Sequence, residues 1–237
     1  MTDVHADQTI GFSAETVHGH VDEKRVLEWE LKAARRALAN LKELLYGEAM
    51  RELLRPQIEE ADRRLKQYLA DSDGEYAQTH VVLTMPAIST AAYEPMMRST
   101  LTGSERTPEQ LRDLCVNFAF PMHPEHYALP PYLGVIETMG GIPTRSRVMM
   151  TDDAPDFVTA FLDESYPVRM TGLAEIDDGT VFTYVLQQFK DVPGGMEANL
   201  RIWYPAACPR AYLEEHAEHY TVEFHNALHM LAATAQR

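Results

Sequence analysis

Cysteine is almost missing: the 237 residues contain two, Cys115 and Cys208, far apart and outside any C-x-x-C spacing. That excludes a disulfide framework and a thiolate zinc site, so any metal must be held by nitrogen and oxygen. Long apolar runs are missing too. No stretch approaches the roughly 18 residues that span a bilayer, and the N-terminus (MTDVHADQTIGFSAETVHGH) has neither the basic nor the apolar region of a secretory signal. The expected location is the cytoplasm. Positive charge is scarce as well: 21 Lys and Arg against 36 Asp and Glu leave a net charge of −15. Such a field repels phosphate backbones and anionic lipid, which argues against nucleic acid and membrane as partners.

What is there suits one sizeable core, since 45% of the residues are hydrophobic. Residues 1–20 are polar and without period, and read as a mobile arm. From Val21 to about Tyr46 the apolar positions Val26, Trp29, Ala33, Leu38, Leu41 and Leu45 recur at helical spacing, with Asp22 as the entry. A second helical run, from about Glu48 to Leu69, carries Leu53, Leu54, Ile58 and Leu65; Pro56 should kink or restart it. Residues 21–72 thus read as a helical hairpin extension, and its charged faces offer a surface for a homodimer.

After Gly74, prolines at 86, 95, 108, 121, 124, 130 and 131 separate short apolar stretches. One short helix stands out there, from Pro108 to about Val116, opened by Thr107. Beyond Gly140–Gly141 the pattern predicts strands over Ile142–Met150, Val168–Ile176, Thr180–Lys190 and Met196–Tyr204. Asp-Asp-Gly at 177–179 and Pro-Gly-Gly at 193–195 serve as hairpin turns. A long helix follows, from Pro209 at its first turn to Ala233, with Leu213, Ala217, Tyr220, Phe224, Leu228 and Leu231 as its apolar stripe. The implied class is α+β, an antiparallel sheet packed on a long C-terminal helix, over residues 73–237.

Chemistry gathers on that last helix. His216, His219, Glu223 and Asn226 follow one another at spacings of three, four and three, along one line beside the apolar stripe. His219 and Glu223 form H-x-x-x-E, whose imidazole and carboxylate can converge on one cation from successive turns. The plain alternative is a solvated helix face with an ordinary i,i+4 hydrogen bond. Two more features stand upstream: His123 and His126 sit in the apolar and aromatic segment 118–127, and Glu137 is a carboxylate in an uncharged run, costly to bury without a cation or donors. Their plain alternatives are a backbone-capped histidine turn and a salt bridge from Glu137 to Arg145 or Arg147.

The run from Gly194 to Tyr204, GGMEANLRIWY, followed by His219-Tyr-Thr-Val-Glu223-Phe-His-Asn226, resembles the C-terminal signature of the 2,4-diacetylphloroglucinol hydrolase and phloretin hydrolase family. The resemblance covers about residues 105–235. It implies a helix-grip (Bet v 1-like) fold and a zinc ion held by two His and two Glu. The implied reaction is hydrolysis of a carbon–carbon bond in a small acylated phenol or related aromatic ketone. His219 and Glu223 match the family's final ligand pair, Glu137 its other glutamate, and His123 its upstream histidine, with His126 as the substitute.

On this reading, whichever of His216 and His126 is not a ligand is the base, an imidazole near pKa ~6.5 being able to exchange protons at working pH. Tyr127, Tyr132 and Tyr184 are candidate donors to the substrate, and Asn226 orients a ligand or the substrate; core packing and a local helix-face bond are the plain alternatives. Two other readings compete: a non-catalytic helix-grip protein carrying an apolar or aromatic ligand, and a scaffold that assembles through the helical hairpin.

Overall fold

Alternation of inward and outward side chains builds most of the structure, a computed structural model that describes residues 12–17, 19–95, 106–128 and 134–235. They fall into two units, Met1–Leu41 and Lys42–Arg237. The first holds a hairpin of β1 (Ser13–Thr16) and β2 (Gly19–Asp22), then most of helix α1 (Glu23–Leu44). Residues 13–16 and 19–20 are therefore paired strand, where the sequence suggests an unstructured arm; the expectation for residues 1–11 lies outside the described residues. Asp22 caps α1 as expected, its Oδ1 accepting from the Arg25 N–H at 2.9 Å.

In the second unit, α2 (Glu48–Asp71) continues through Pro56 rather than restarting there, and packs against the sheet at β6 and β8. The helix grouped with α1 by sequence thus belongs with the sheet. Seven antiparallel strands form that sheet, in the order β3-β9-β8-β7-β6-β5-β4. They are β3 (Tyr76–Pro86), β4 (His126–Ala128), β5 (Val135–Met139), β6 (Ile142–Met150), β7 (Val168–Glu175), β8 (Val181–Val192) and β9 (Gly195–Pro205). The last four strands and their turns are where the sequence puts them. Val192 pairs with Gly195 around Pro193 and Gly194, and a positive φ of 84° at Gly194 suits a type II turn. β3 was not anticipated: a strand ending in Pro86 at a sheet edge breaks no ladder.

β5 and β6 close on Gly140–Gly141, both with positive φ, the two-residue turn that glycine pairs favour. The short helix α3 (Pro108–Leu114) is opened by a capping box between Thr107 and Gln110, then widens into a π-helical turn, Cys115–Ala119. One further helical turn, α4 (Asp156–Thr159), lies against β8. The C-terminal helix α5 (Arg210–Ala235) starts one residue later than expected, with Pro209 outside it.

Tyr220 and Phe224 of α5 pack on Met196, Ala198, Leu200 and Ile202 of β9, all almost fully buried, with Leu213, Leu228 and Leu231 at the margin of that core. The other face of the sheet carries its own cluster of Leu186, Trp203 and Tyr184 with Val158 and Phe157. A seven-stranded antiparallel sheet holding a long C-terminal helix against one face is the helix-grip, Bet v 1-like architecture.

Candidate functional site

Where α5 crosses β4 and β5, the fold leaves a cavity of about 140 Å³. Its walls are apolar over most of their extent, with Val135, Met139, Val148, Met150, Val185 and Ile202 contributed by four strands. One end is different in kind: His126, Glu137, His216, His219 and Glu223 all line it.

Local structure explains how they meet. The π-helical turn ends at Ala119, whose carbonyl lies 3.0 Å from His126 Nδ1 and also accepts the His123 N–H at 3.4 Å. Lys42, from the last turn of α1, is fully buried and donates to the Pro124 carbonyl between the two histidines, its ammonium 5.3 and 5.2 Å from the Phe120 and Tyr127 rings. Burial lowers the Lys42 pKa to about 8. Sequence reasoning passed over this lysine, because a lysine within a charged helix reads as solvated; its only signal is its place at the C-terminal end of α1. From α5, Asn226 Nδ2 donates to the Met122 carbonyl at 2.8 Å and so holds the same segment.

These ties bring three histidines together. His123, His126 and His219 are 6%, 3% and 5% exposed, and each places one ring nitrogen within 4.8 Å of the others'. His123 stacks on His219 with ring centroids 3.8 Å apart. His126 Nε2 and His219 Nε2 are 2.9 Å apart, and Glu137 Oε2 lies 3.6 Å from the first and 3.4 Å from the second. The two arginines that might have paired with Glu137 are engaged elsewhere: Arg145 with Asp177, Arg147 with Glu175. Glu223, one turn beyond His219, also lines the cavity.

Tautomers follow from the partners. His126 Nδ1 faces a carbonyl and must carry the proton, which leaves Nε2 bare. His123 Nδ1 accepts the Glu125 N–H at 3.1 Å, so neutral His123 carries its proton on Nε2. His219 Nδ1 is buried with no hydrogen-bond partner among the described residues. Whichever of its nitrogens holds the proton, either a buried ring atom is left unsatisfied or two bare nitrogens face each other at 2.9 Å.

Burial dominates the electrostatics, disfavouring every charged form. It lowers His126 and His216 to about 3, His219 further still, and lifts Glu137 to about 8 and Glu223 to about 7. The neighbouring Glu223 and Glu125 charges push Glu137 the same way. An imidazole titrating near pH ~6.5, as expected from sequence, is therefore not what His126 and His216 provide. The groups that titrate near neutrality are the two carboxyls.

Other candidates are dispersed. His216 lies on the cavity wall, its Nδ1 3.0 Å from Tyr204 OH and its ring stacked 5.3 Å from His219. Tyr127 points away, because it alternates with His126 along β4; its ring packs on the cluster around Ile136. Tyr184 alternates with Thr183 and Val185 and so faces the opposite side of the sheet. Tyr132 lies outside the described residues. Among the described residues the tyrosine that lines the cavity is Tyr220, a position sequence reasoning assigned to core packing alone.

No protein-family model matches the sequence, and no curated protein matches it either. Among solved structures, Ara h 8.0201 aligns with a TM-score of 0.41 and 9% identity over 67% of this chain and 99% of that chain. An uncharacterized protein from Rhizobium leguminosarum aligns at 0.33 and 14%, with the same coverage. Among the described residues, no helix is long and apolar enough to cross a membrane.

Proposed function

We propose that this chain is a metal-dependent hydrolase that cleaves the carbon–carbon bond between an aromatic ring and its acyl group. The observation that carries the reading is the meeting of His126 Nε2, His219 Nε2 and Glu137 Oε2 within 3.6 Å of one another, on an otherwise apolar cavity. Two imidazole nitrogens and a carboxylate oxygen are zinc's usual donors. A cation between the two facing Nε2 atoms removes the clash of bare nitrogens when His219 carries its proton on Nδ1, and it offsets a glutamate that has no Lys or Arg partner among the described residues.

Within this reading His126 is preferred to His123 as the upstream ligand. Its Nδ1 is anchored on a backbone carbonyl, the outer-shell contact that orients most metal-bound histidines. The unprotonated Nδ1 of His123 is taken up by the Glu125 N–H, and its ring stacks on His219. Glu223 is the fourth donor.

The substrate class follows from size and polarity. An engineered apolar cavity of about 150 Å³ holds benzene, so about 140 Å³ accepts about one aromatic ring. An aryl ketone fits, with its ring among the valines and methionines and its carbonyl at the polar end, as the resemblance to acylphenol hydrolases implies. A divalent ion bound there supplies Lewis-acid polarisation of the carbonyl oxygen. His216, fixed by Tyr204 on the cavity wall, takes the proton of the attacking water; because burial lowers its pKa to about 3, the proton passes straight on to the ring carbon and does not rest there. Oxygen adds to the carbonyl carbon, the aryl–carbonyl bond breaks with its electrons passing to the ring carbon, and that carbon takes the proton. The products are a phenol and a carboxylic acid.

The test is to incubate zinc-loaded and chelator-stripped protein with mono- and diacetylated phenols and separate the products by chromatography. Acetate and deacylated phenol formed only by the loaded protein support hydrolysis. A second reading, a helix-grip carrier of a small aromatic ligand, is favoured by the apolar wall; saturable ligand binding without turnover in either form would establish it instead.

A further inference from the structure

Beyond Glu223 the C-terminal helix carries a second pair of histidines, outside the cavity. His225 and His229 stand one turn apart and exposed, ring centroids 4.6 Å apart and Nε2 atoms separated by 3.2 Å. Neither lines the cavity. His225 Nδ1 lies 3.1 Å from Asn226 Oδ1, and the Asn226 Nδ2 is committed to the Met122 carbonyl at 2.8 Å. That commitment fixes the amide: Oδ1 can only accept, so His225 Nδ1 carries the proton and its Nε2 is bare.

We propose that His225 and His229 form a second, solvent-accessible metal site for a late transition-metal ion, Cu(II) above Ni(II) and Zn(II). Two imidazole nitrogens each bonded at about 2.0–2.1 Å to one ion lie roughly 2.8–3.4 Å apart for angles between square-planar and tetrahedral. The observed 3.2 Å falls inside that window without movement of the helix. Asn226 supplies the outer-shell acceptor that raises the basicity of one ligand, and solvent completes the coordination. With so few protein donors, relative affinity follows the general order for nitrogen sites, in which copper stands highest. The formal charge of −15 adds a long-range attraction for cations at low salt. The competing arrangement is a simple N–H···N hydrogen bond from His229 to His225.

Tag-free full-length protein should be titrated with Cu(II) against a chromogenic chelator, with electron paramagnetic resonance on the bound ion. His229→Ala and His219→Ala are compared with wild type after their thermal midpoints have been matched. The site predicts one equivalent with a nitrogen-ligated spectrum that weakens at least about tenfold in His229→Ala and persists in His219→Ala. Identical titrations of wild type and His229→Ala would overturn it. Because the two variants report separately, failure of the cavity to hold a metal leaves this result readable, and the reverse also holds.

Discussion

On the proposed metal reading, protons and metal compete for the cavity carboxyls, so the affinity of the site for zinc would depend on pH in a way that can be worked out in advance. Burial holds Glu137 at about 8 and Glu223 at about 7, against a usual 4.5, and both must be ionised to ligate. Below those values each bound metal displaces one proton per carboxyl, and each displaced proton adds about tenfold to the apparent affinity per pH unit. From pH 6 to 8 Glu137 alone gives about a hundredfold, and Glu223 adds about tenfold between pH 6 and 7. The histidines contribute nothing in this window, since His126 and His216 are neutral above about 3.

Without metal the sign is opposite: folding keeps protons that the unfolded chain releases above 4.5. That contribution to stability is complete below about pH 4.5 and is lost as pH rises through about 8. The assay is competition with a fluorescent zinc chelator at half-unit intervals. A rise of roughly a thousandfold in wild type, reduced to about tenfold in Glu137→Gln, is expected. An affinity flat between pH 6 and 8, or one that climbs instead between pH 5 and 6.5 as for ordinary histidines, would refute the reasoning.

Four substitutions test the parts separately. His126→Ala removes a ligand and should weaken zinc by at least about a hundredfold, whereas His123→Ala, which removes only a stacking partner, should weaken it less than about tenfold; the reverse order in the same competition assay would exchange their roles. Lys42→Met keeps the aliphatic stem but leaves the Pro124 carbonyl without its donor, so denaturant unfolding should show a loss of about 1–3 kcal/mol together with weaker zinc binding. Tyr127→Phe removes a hydroxyl that faces Thr138 and not the cavity, and should change neither zinc nor ligand affinity by more than about twofold by calorimetry.

Parts of this account were legible in the chain, for reasons that differ from place to place. β6 to β9 could be read because each is a long run bounded by glycine or proline turns, and the C-terminal helix because its stripe runs through about five turns. β4 and β5 could not: three and five residues are too few for a period to show, and β4 follows directly on a proline-rich turn. Short strands are nevertheless what carry His126 and Glu137. The helix-borne half of the candidate site, His219 with Glu223, is visible as an H-x-x-x-E spacing that gains weight only beside the upstream residues and the family resemblance. The half that decides which histidine offers a bare nitrogen depends on which ring atom meets Ala119 or Glu125, and no spacing contains that. The wrong expectations about Tyr127 and Tyr184 share one cause, a strand parity that could be assigned only once the register was known.

The most direct measurement is the metal content of tag-free protein, wild type against His219→Ala, by elemental analysis after exhaustive dialysis. With the exposed His225 and His229 pair stripped by dialysis against a weak chelator, the account predicts close to one zinc per chain in wild type and essentially none in the variant. A wild type that is metal-free and cannot be reconstituted, or a variant that keeps its zinc, would contradict it.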